Sequence, residues 1–422
     1  MKPLPAKELN KDSPHVVAAA AGLHLSAFQI AAAGTIALAV AMGIGRFAFT
    51  PLMPMMLHDG VTDLAHGSLL ATANYLGYLV GALLCMVVPR VFTGAVMIRL
   101  GLVATILLTA GMALPAPVVW PVLRFVAGMA SAMVFVYSAG WCLTHLAHRD
   151  RASLGATIFT GPGLGIALSG FVASGLVGLH QPSWMGWLVF AGLALALSML
   201  CWHVFRGPDM PAVVRAAEAA HHAADHPTVK HGGGAAEMAL FSIAYGFAGF
   251  GYIITATYLP VIARTALPGS LWLDLFWPIL GLGVVLGALI AARLPHRIDP
   301  RYLLTACYLA QAGGVVLCLI LPSLIGFILS SFLVGLPFTA ISFFAMQDVR
   351  RLRPDHAARF MGLLTAIYGI GQIAGPPLAA YLLRVSANPA EGFARALGTA
   401  SATLVVGAGL YLVMRLRWPI NK

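Results

Sequence analysis

Gly43-Ile44-Gly45-Arg46-Phe47-Ala48-Phe49-Thr50-Pro51-Leu52-Met53-Pro54 opens a pattern that returns 206 residues later in the same chain. The glycine pair recurs as Gly249-x-Gly251 and the proline as Pro260. Working outward, Gly77-x3-Gly81-Ala82-Leu83 recurs as Gly283-x3-Gly287-Ala288-Leu289, and Pro89 as Pro295, all at that separation (43 to 249, 54 to 260, 81 to 287, 89 to 295). A further block, Gly155 with Gly161-Pro162-x-Leu164, recurs 214 residues on as Gly369 with Gly375-Pro376-x-Leu378. The larger separation predicts eight extra residues in a loop of the second copy. A register held this far in apolar sequence implies a duplicated unit, an architecture common among membrane carriers.

Composition sets the solvent. Of 422 residues, 60% are hydrophobic and 9% charged, and mean hydropathy is +0.88. A soluble domain carries about 25% charged residues. A span needs ~20 mostly apolar residues to cross ~30 Å of hydrocarbon. Twelve runs qualify, at roughly 27–57, 66–88, 93–114, 118–142, 153–178, 184–206, 237–262, 272–294, 301–321, 323–346, 357–383 and 394–415. The expectation is an all-α integral membrane protein with twelve transmembrane helices in two pseudo-symmetric six-helix bundles. Residues 1–26 form a tail, 27–206 the first bundle, 207–236 a linker, 237–416 the second bundle and 417–422 a second tail. Six spans per copy give both copies the same orientation, related by an axis along the membrane normal.

The net charge of +11 invites a nucleic-acid reading, which the location of the charges rejects. Of 25 Lys and Arg, Arg264, Arg384 and Arg395 fall on the side opposite the termini, and Arg46 and Arg124 fall inside spans. The rest lie on the side of the termini, so both termini are expected in the cytoplasm of a bacterium, with the spans in its inner membrane. The N-terminus does not read as a cleavable signal, because its polar lead is long and its first apolar run exceeds an h-region. Cys85, Cys142, Cys201, Cys307 and Cys318 lie in or at the ends of spans without metal spacing, so neither disulfides nor a metal is expected. The linker carries His221, His222, His226 and His231 and an Ala-rich stretch, 212–224, able to form a short amphipathic helix. With nothing to fix ligands there, these histidines read as solvated.

Glycine and proline at matching places in the two copies point to gating helices around a central site: Gly43, Gly45, Pro51 and Pro54 in span 1, Gly249, Gly251 and Pro260 in span 7, Gly161-Pro162 in span 5 and Gly375-Pro376 in span 11. Close packing through small residues accounts for them equally well in isolation. Thirty-one residues of span 1 would reach ~46 Å as a straight helix, so it tilts, bends or protrudes.

Arg46 is the sharpest candidate. An arginine near the bilayer centre costs at least ~2.5–3.5 kcal/mol, so it faces a cavity or a partner. None of the fourteen Asp and Glu lies deep in a span, although Glu237, Asp274 and Asp348 sit near span ends. Two readings stand: Arg46 caps carbonyls freed by a bend or snorkels outward, or it binds an anionic substrate group. Arg124, one to two turns inside span 4, can snorkel more easily or share a layer with Arg46. Thr50, Asn74, Tyr78, Tyr137, Trp141, Tyr245, Tyr252, Thr255, Trp277, Gln311, Gln347, Tyr368 and Gln372 complete the candidate lining, and Tyr252 occupies the repeat position of Arg46. No nucleophile–base pair, zinc spacing or phosphate loop is present in a fitting context, which argues against an enzyme of the common types and against a cofactor.

Arg124-Phe125 with Gly128 resembles the helix 4 motif of the major facilitator superfamily, and Gly155 with Gly161-Pro162-Gly163-Leu164-Gly165 resembles its antiporter-associated helix 5 motif. More narrowly, Gly43-Ile44-Gly45-Arg46-Phe47 with Thr50-Pro51, Gly249-Phe250-Gly251-Tyr252-Ile253-Ile254-Thr255-Ala256-Thr257 and Gly369-Ile370-Gly371-Gln372-Ile373-Ala374-Gly375-Pro376 resemble its YbfB/YjiJ-like bacterial branch. The resemblance runs over essentially the whole chain. It implies two six-helix bundles, a central site, alternating access, and proton coupling in which Arg124 takes part. The loop after span 2 departs from the family pattern: Cys85 stands where an aspartate is expected and leaves Arg90 as the main basic residue, so the usual cytoplasmic charge latch is in question. The expected function is a proton-coupled secondary transporter, acting as a monomer in the lipid bilayer on a small organic anion. The alternative is a proton-coupled efflux antiporter for apolar or cationic compounds, against which the missing membrane acid counts.

Overall fold

The computed structural model describes residues 25–87, 92–147, 149–206, 234–267, 273–294, 298–353 and 357–419. The N-terminal tail through residue 24, Arg90, and linker residues 207–233 with their histidines and the 212–224 stretch lie outside the described residues. Twelve helices are long and apolar enough to cross a membrane: α1 Ala27–His58, α2 Leu64–Cys85, α3 Gly94–Gly111, α4 Trp120–Ala147, α5 Leu154–Gly178, α6 Ser183–Trp202, α7 Gly234–Arg264, α8 Phe276–Arg293, α9 Pro300–Ile320, α10 Leu324–Leu352, α11 Phe360–Val385 and α12 Pro389–Arg417. With an even number of crossings, the first and last helices begin and end on one face, termed here the terminal face. The opposite one is the far face.

Helix starts follow their caps. Ser26 and Gln29 exchange hydrogen bonds at the head of α1, with Gln29 N donating to Ser26 Oγ (3.1 Å) and Ser26 N to Gln29 Oε1 (2.8 Å). Asp299 and Asn388 do the same work singly for α9 and α12, each followed by a proline in the first turn. Interior faces are apolar and tightly closed, with exposed Leu, Val and Ile distributed over the outside, as a chain dissolved in lipid requires.

The two halves pair their helices in the same way. In the first, α1 packs on α5, α2 on α4, and α3 on α4 and α6; in the second, α7 packs on α11, α8 on α10, and α9 on α10 and α12. The main contacts between halves, α2 with α11 and α5 with α8, exchange into each other when the halves are swapped. Glycine sets the closest approaches. A Cβ on Gly43 would lie 2.3 Å from Gly165 Cα, and one on Gly249 2.2 Å from the Tyr368 carbonyl oxygen, so α1–α5 and α7–α11 touch backbone to backbone.

Three expectations need correction. First, no eight-residue insertion exists: α9 and α11 start at Pro300 and Phe360, each 206 residues after α3 at Gly94 and α5 at Leu154. The two Gly-Pro blocks therefore sit about two turns apart on equivalent helices. Such short small-residue strings recur in spans for packing reasons alone. Second, the recurrent Gly and Pro positions do not break both copies alike. In α1 the stretch Ala39–Phe47 takes the wider π geometry, whereas α7 runs as one α-helix through Gly249, Gly251 and Pro260. Gly161 and Pro162 open the α-helical part of α5 behind the 3-10 stretch Ala152–Thr160, but α11 continues through Gly375 and Pro376. Third, α10 is interrupted at Leu336–Pro337, between Leu324–Gly335 and Phe338–Leu352, where no gate was expected. Identical punctuation gives different backbones because a neighbouring helix decides which freed carbonyls find a donor.

Candidate functional site

The donor that α1 finds is α4. A π turn joins each carbonyl to the amide five residues on and shifts its neighbours off the regular ladder. Ser131 Oγ donates to the Ala41 carbonyl (2.7 Å), Arg124 Nη1 to that of Gly45 (3.2 Å) and Arg124 Nη2 to that of Arg46 (2.9 Å). Asn74 Nδ2 in turn donates to the Arg124 carbonyl (2.9 Å), fixing α2 to α4. Arg124 is 2% exposed, so it does not snorkel. Capping of freed carbonyls, which the sequence allowed for Arg46, is performed by Arg124.

Arg46 is thereby left to face the other half of the molecule. It is 3% exposed, and its guanidinium carbon lies 3.9 Å from the centre of the Tyr78 ring and 5.2 Å from those of Tyr75 and Phe47. Rings that present their negative faces stabilise a desolvated cation by about 2 kcal/mol or more. Nη2 donates to Gln372 Oε1 on α11 (2.7 Å), and Gln372 Nε2 donates to the Tyr252 hydroxyl on α7. Gln372 thus bridges Arg46 to the residue at its own repeat position. No carboxylate touches Arg46 among the described residues, and its buried Nε has no partner among them.

Beside Gln372 stands an aromatic wall. Tyr252 and Tyr368 are stacked (6.0 Å, 22°), Tyr368 and Tyr245 lie 4.9 Å apart, and Phe338 meets Tyr252 edge-on at 4.9 Å. Phe338 also meets Phe47 edge-on (5.9 Å), and Trp277 lies 6.4 Å from Phe47 while its Nε1 donates to Ser169 Oγ (3.3 Å). Phe338 opens the second piece of α10, so the break at Leu336–Pro337 is what delivers it to the wall.

On the far side of Arg46 the halves are fastened together. Thr50 Oγ1 donates to the Ala256 carbonyl (3.0 Å), Tyr75 and Thr257 share a hydrogen bond (3.0 Å), and Ser68 and Tyr258 share another. Within the second half, Tyr258 also approaches the Pro376 carbonyl (3.5 Å). Beyond this seal a groove of about 840 Å³ opens between α2 and α11, with Asp63 and Arg384 among its lining residues.

Several expected residues do not join the Arg46 group. Trp141 is buried against His145 (3.8 Å, stacked) and Phe205 (5.3 Å, edge-on), inside the first half. Gln311 donates to the Val334 carbonyl (3.1 Å) and ties α9 to α10, while Asn74 is committed to Arg124. Thr255 is fully buried with no partner for its hydroxyl among the described residues, and Tyr137 is half-buried on the terminal side of α4. Tyr75 and Phe338 were missed. Tyr75 stands three residues before Tyr78 on one helical face, a spacing that marks it; Phe338 carries no local signal.

The acid map also needs correction. Glu237 and Asp348 lie near span ends as expected, but both are fully buried, and so is Arg301, which the sequence placed among the basic residues on the side of the termini. Arg301 pairs with Glu237 Oε1 and with Asp348 Oδ2 (3.4 Å), and donates to the carbonyls of Met414 (3.0 Å) and Trp418 (2.9 Å). This cluster clamps α7, α9, α10 and α12 together at the terminal face, within one half.

Comparison with known proteins follows the same line. The family model described as an uncharacterised MFS-type transporter YbfB matches residues 38–412. No curated protein matches the sequence. Among solved structures, a point mutant of the nucleoside transporter NupG superposes with a TM-score of 0.71 at 14% identity, covering 92% of this chain and 99% of that one. Unmutated NupG gives 0.68 at 14% identity, covering 92% and 98%. A bacterial homologue of the human lysosomal transporter Spinster, inward-facing and unoccupied, gives 0.63 at 13% identity, covering 92% and 96%. At these identities the likeness concerns the fold.

Proposed function

The chain belongs to the YbfB-type family of the major facilitator superfamily, and on that premise we propose that this multi-pass secondary transporter carries a small organic anion. Its reading as a transporter, and not an enzyme, comes with the family. The choice of an anion rests on one observation: Arg46 is a buried, fixed cation between the halves, stacked on Tyr78 and lacking an acidic partner among the described residues. A cationic cargo would meet repulsion there, whereas an anionic one restores neutrality in a medium of low dielectric.

Tyr252, Tyr368 and Gln372 supply the facing wall, with Thr50 on the side of the seal. Gly43, Gly45, Gly249 and Gly251 let α1 and α7 approach their neighbours closely enough to slide as rigid bodies, with Pro51, Pro54, Pro260, Pro162 and Pro376 shaping the moving ends. The bonds on the far side close the cleft there, and the bias of Lys and Arg supports a cytoplasmic terminal face in a bacterial inner membrane. Movement down a proton gradient, with Arg124 coupling α4 to the π stretch of α1, completes the cycle. The protein acts as a monomer.

Currents from reconstituted protein on a solid-supported membrane test this, using benzoate and aliphatic monocarboxylates against matched amines. Wild type is expected to move carboxylates, and Arg46→Ala to abolish that flux while inserting normally. Equal loss in Arg46→Lys identifies bidentate recognition over point charge. Undiminished flux in Arg46→Ala removes the anion site. Amine currents in place of carboxylate currents establish the efflux alternative. A flux indifferent to an imposed pH gradient identifies a uniporter.

A further inference from the structure

A guanidinium presents carboxylates with a fork of two parallel N–H groups, and one such fork is formed by Nε and Nη2. In Arg46 this fork is half used. Nη2 donates to Gln372 Oε1 at 2.7 Å, while Nε, buried beside it, has no partner among the described residues. An amide brings one oxygen to the fork; a carboxylate brings two, at the right spacing for both donors. The site is therefore built for a better ligand than the one it holds.

We infer that Gln372 is a resident stand-in for the cargo carboxylate, and that cargo displaces it. The inference rests on the anion reading of Arg46 above and goes further. It makes Gln372 a competitor of the cargo and makes its release a step of the cycle. Gln372 is 3% exposed and held at its other end, where Nε2 donates to Tyr252. Arg46, Gln372 and Tyr252 together form a strap from α1 across α11 to α7 at the middle of the cleft. A carboxylate that takes both donors of Arg46 cuts this strap, leaving Gln372 on Tyr252 and the far-side bonds of Thr50, Tyr75 and Ser68, with Trp277 on Ser169, to join the halves. Cargo binding and the freeing of the halves are then one event. The wall of Tyr252, Tyr368, Tyr245 and Phe338 adjoins the displaced amide, so a flat, unsaturated body behind the carboxylate would meet ring surfaces once the strap is cut.

Benzoate has that form, and benzamide is its neutral counterpart. Binding of each to the purified full-length protein is measured by calorimetry and by thermal shift. Wild type is expected to bind benzoate in preference to benzamide. Removing a competitor worth one charged hydrogen bond, Gln372→Ala is expected to tighten benzoate about tenfold. Gln372→Glu, which sets two oxygens permanently on the fork, is expected to lose benzoate while melting at or above the wild-type temperature. Weaker or unchanged affinity in Gln372→Ala makes Gln372 a ligand or a bystander and overturns the inference, as does wild-type benzoate binding in Gln372→Glu. If Gln372→Ala does not fold, the Glu variant decides alone. Benzoate binding that vanishes in Arg46→Ala but ignores Gln372 refutes only this step. Failure of wild type and Gln372→Ala alike to bind benzoate refutes the anion site, and the displacement falls with it.

Discussion

Replacing Arg124 by leucine removes two of the three side-chain donors that α4 gives to the π stretch of α1, those to Gly45 and Arg46, and spares Ser131 on Ala41. In water, hydrogen bonds from a charged donor contribute about 1.5–3 kcal/mol each. Between membrane helices the measured contributions average ~0.6 kcal/mol and reach ~1.7, because the separated helices also find partners. The membrane figures apply here, and two bonds amount to about 1–3 kcal/mol. That is a fraction of a typical stability of ~5–15 kcal/mol, so the variant folds. Function is hit harder. Without its pins the π turn is free to relax toward α geometry, and losing one residue from a turn rotates everything beyond it by about 100°. Arg46 then swings off Tyr78 and Gln372. The expected result is a melting temperature in detergent only a few degrees below wild type, with carboxylate currents as low as in Arg46→Ala. Arg124→Lys, whose single ammonium serves fewer carbonyls in fixed geometry, should fall between them. Wild-type currents in Arg124→Leu would refute the pinning argument. Intact carboxylate binding in Arg124→Gln with loss of proton dependence alone would assign Arg124 to coupling.

Two further predictions concern stability. Arg301→Met strands Glu237 and Asp348 without their cation and is expected to cost about 3–5 kcal/mol, read as a lower melting temperature. Combining it with Glu237→Gln and Asp348→Asn should restore most of the loss, and equal destabilisation in single and triple variants would show that packing, not charge, holds this corner. Outside the membrane, Asp59 accepts from the Ser183 amide (2.6 Å) and so caps α6 from the end of α1. Partial burial works against ionisation of Asp59, yet its bonds to Ser183 and the neighbouring His58 outweigh it and hold the carboxyl below its ordinary value of 3.8. A depressed carboxylate stabilises the fold above its unfolded pKa, and that contribution is lost as pH falls through the lowered value. Asp59→Ala should therefore cost about 0.5–2 kcal/mol near neutrality, with the gap to wild type closing only below about pH 4. A gap that is constant through that range would mean that the carboxylate charge does not matter.

Much of the architecture could be read along the chain. Hydropathy depends on composition over ~20 residues and needs no partner, so the twelve spans and their grouping were legible from local sequence. The 206-residue register between copies was equally legible, because helix packing forces glycine to the same contact points in both halves. Arg46 announced itself for the same reason: an arginine in apolar sequence is costly wherever the helix packs. Legibility failed where an outcome depended on another helix. The matching Gly and Pro positions of α1 and α7 look alike, and only Arg124 and Ser131 on α4 make one of them a π helix. The Gly-Pro blocks of α5 and α11 suggested an insertion that the helix boundaries rule out.

What the sequence determined by itself was the solvent of the chain, its crossings and its duplication, since each follows from the free energy of transferring local segments into hydrocarbon. What the tertiary structure decided was who meets whom: Arg46 with Gln372 and, through it, Tyr252, 326 and 206 residues away, and Arg301 with two acids that the sequence placed near span ends. Hydrogen bonds and ring contacts act over a few ångströms, and no property of a single segment states which distant segment will lie within that reach.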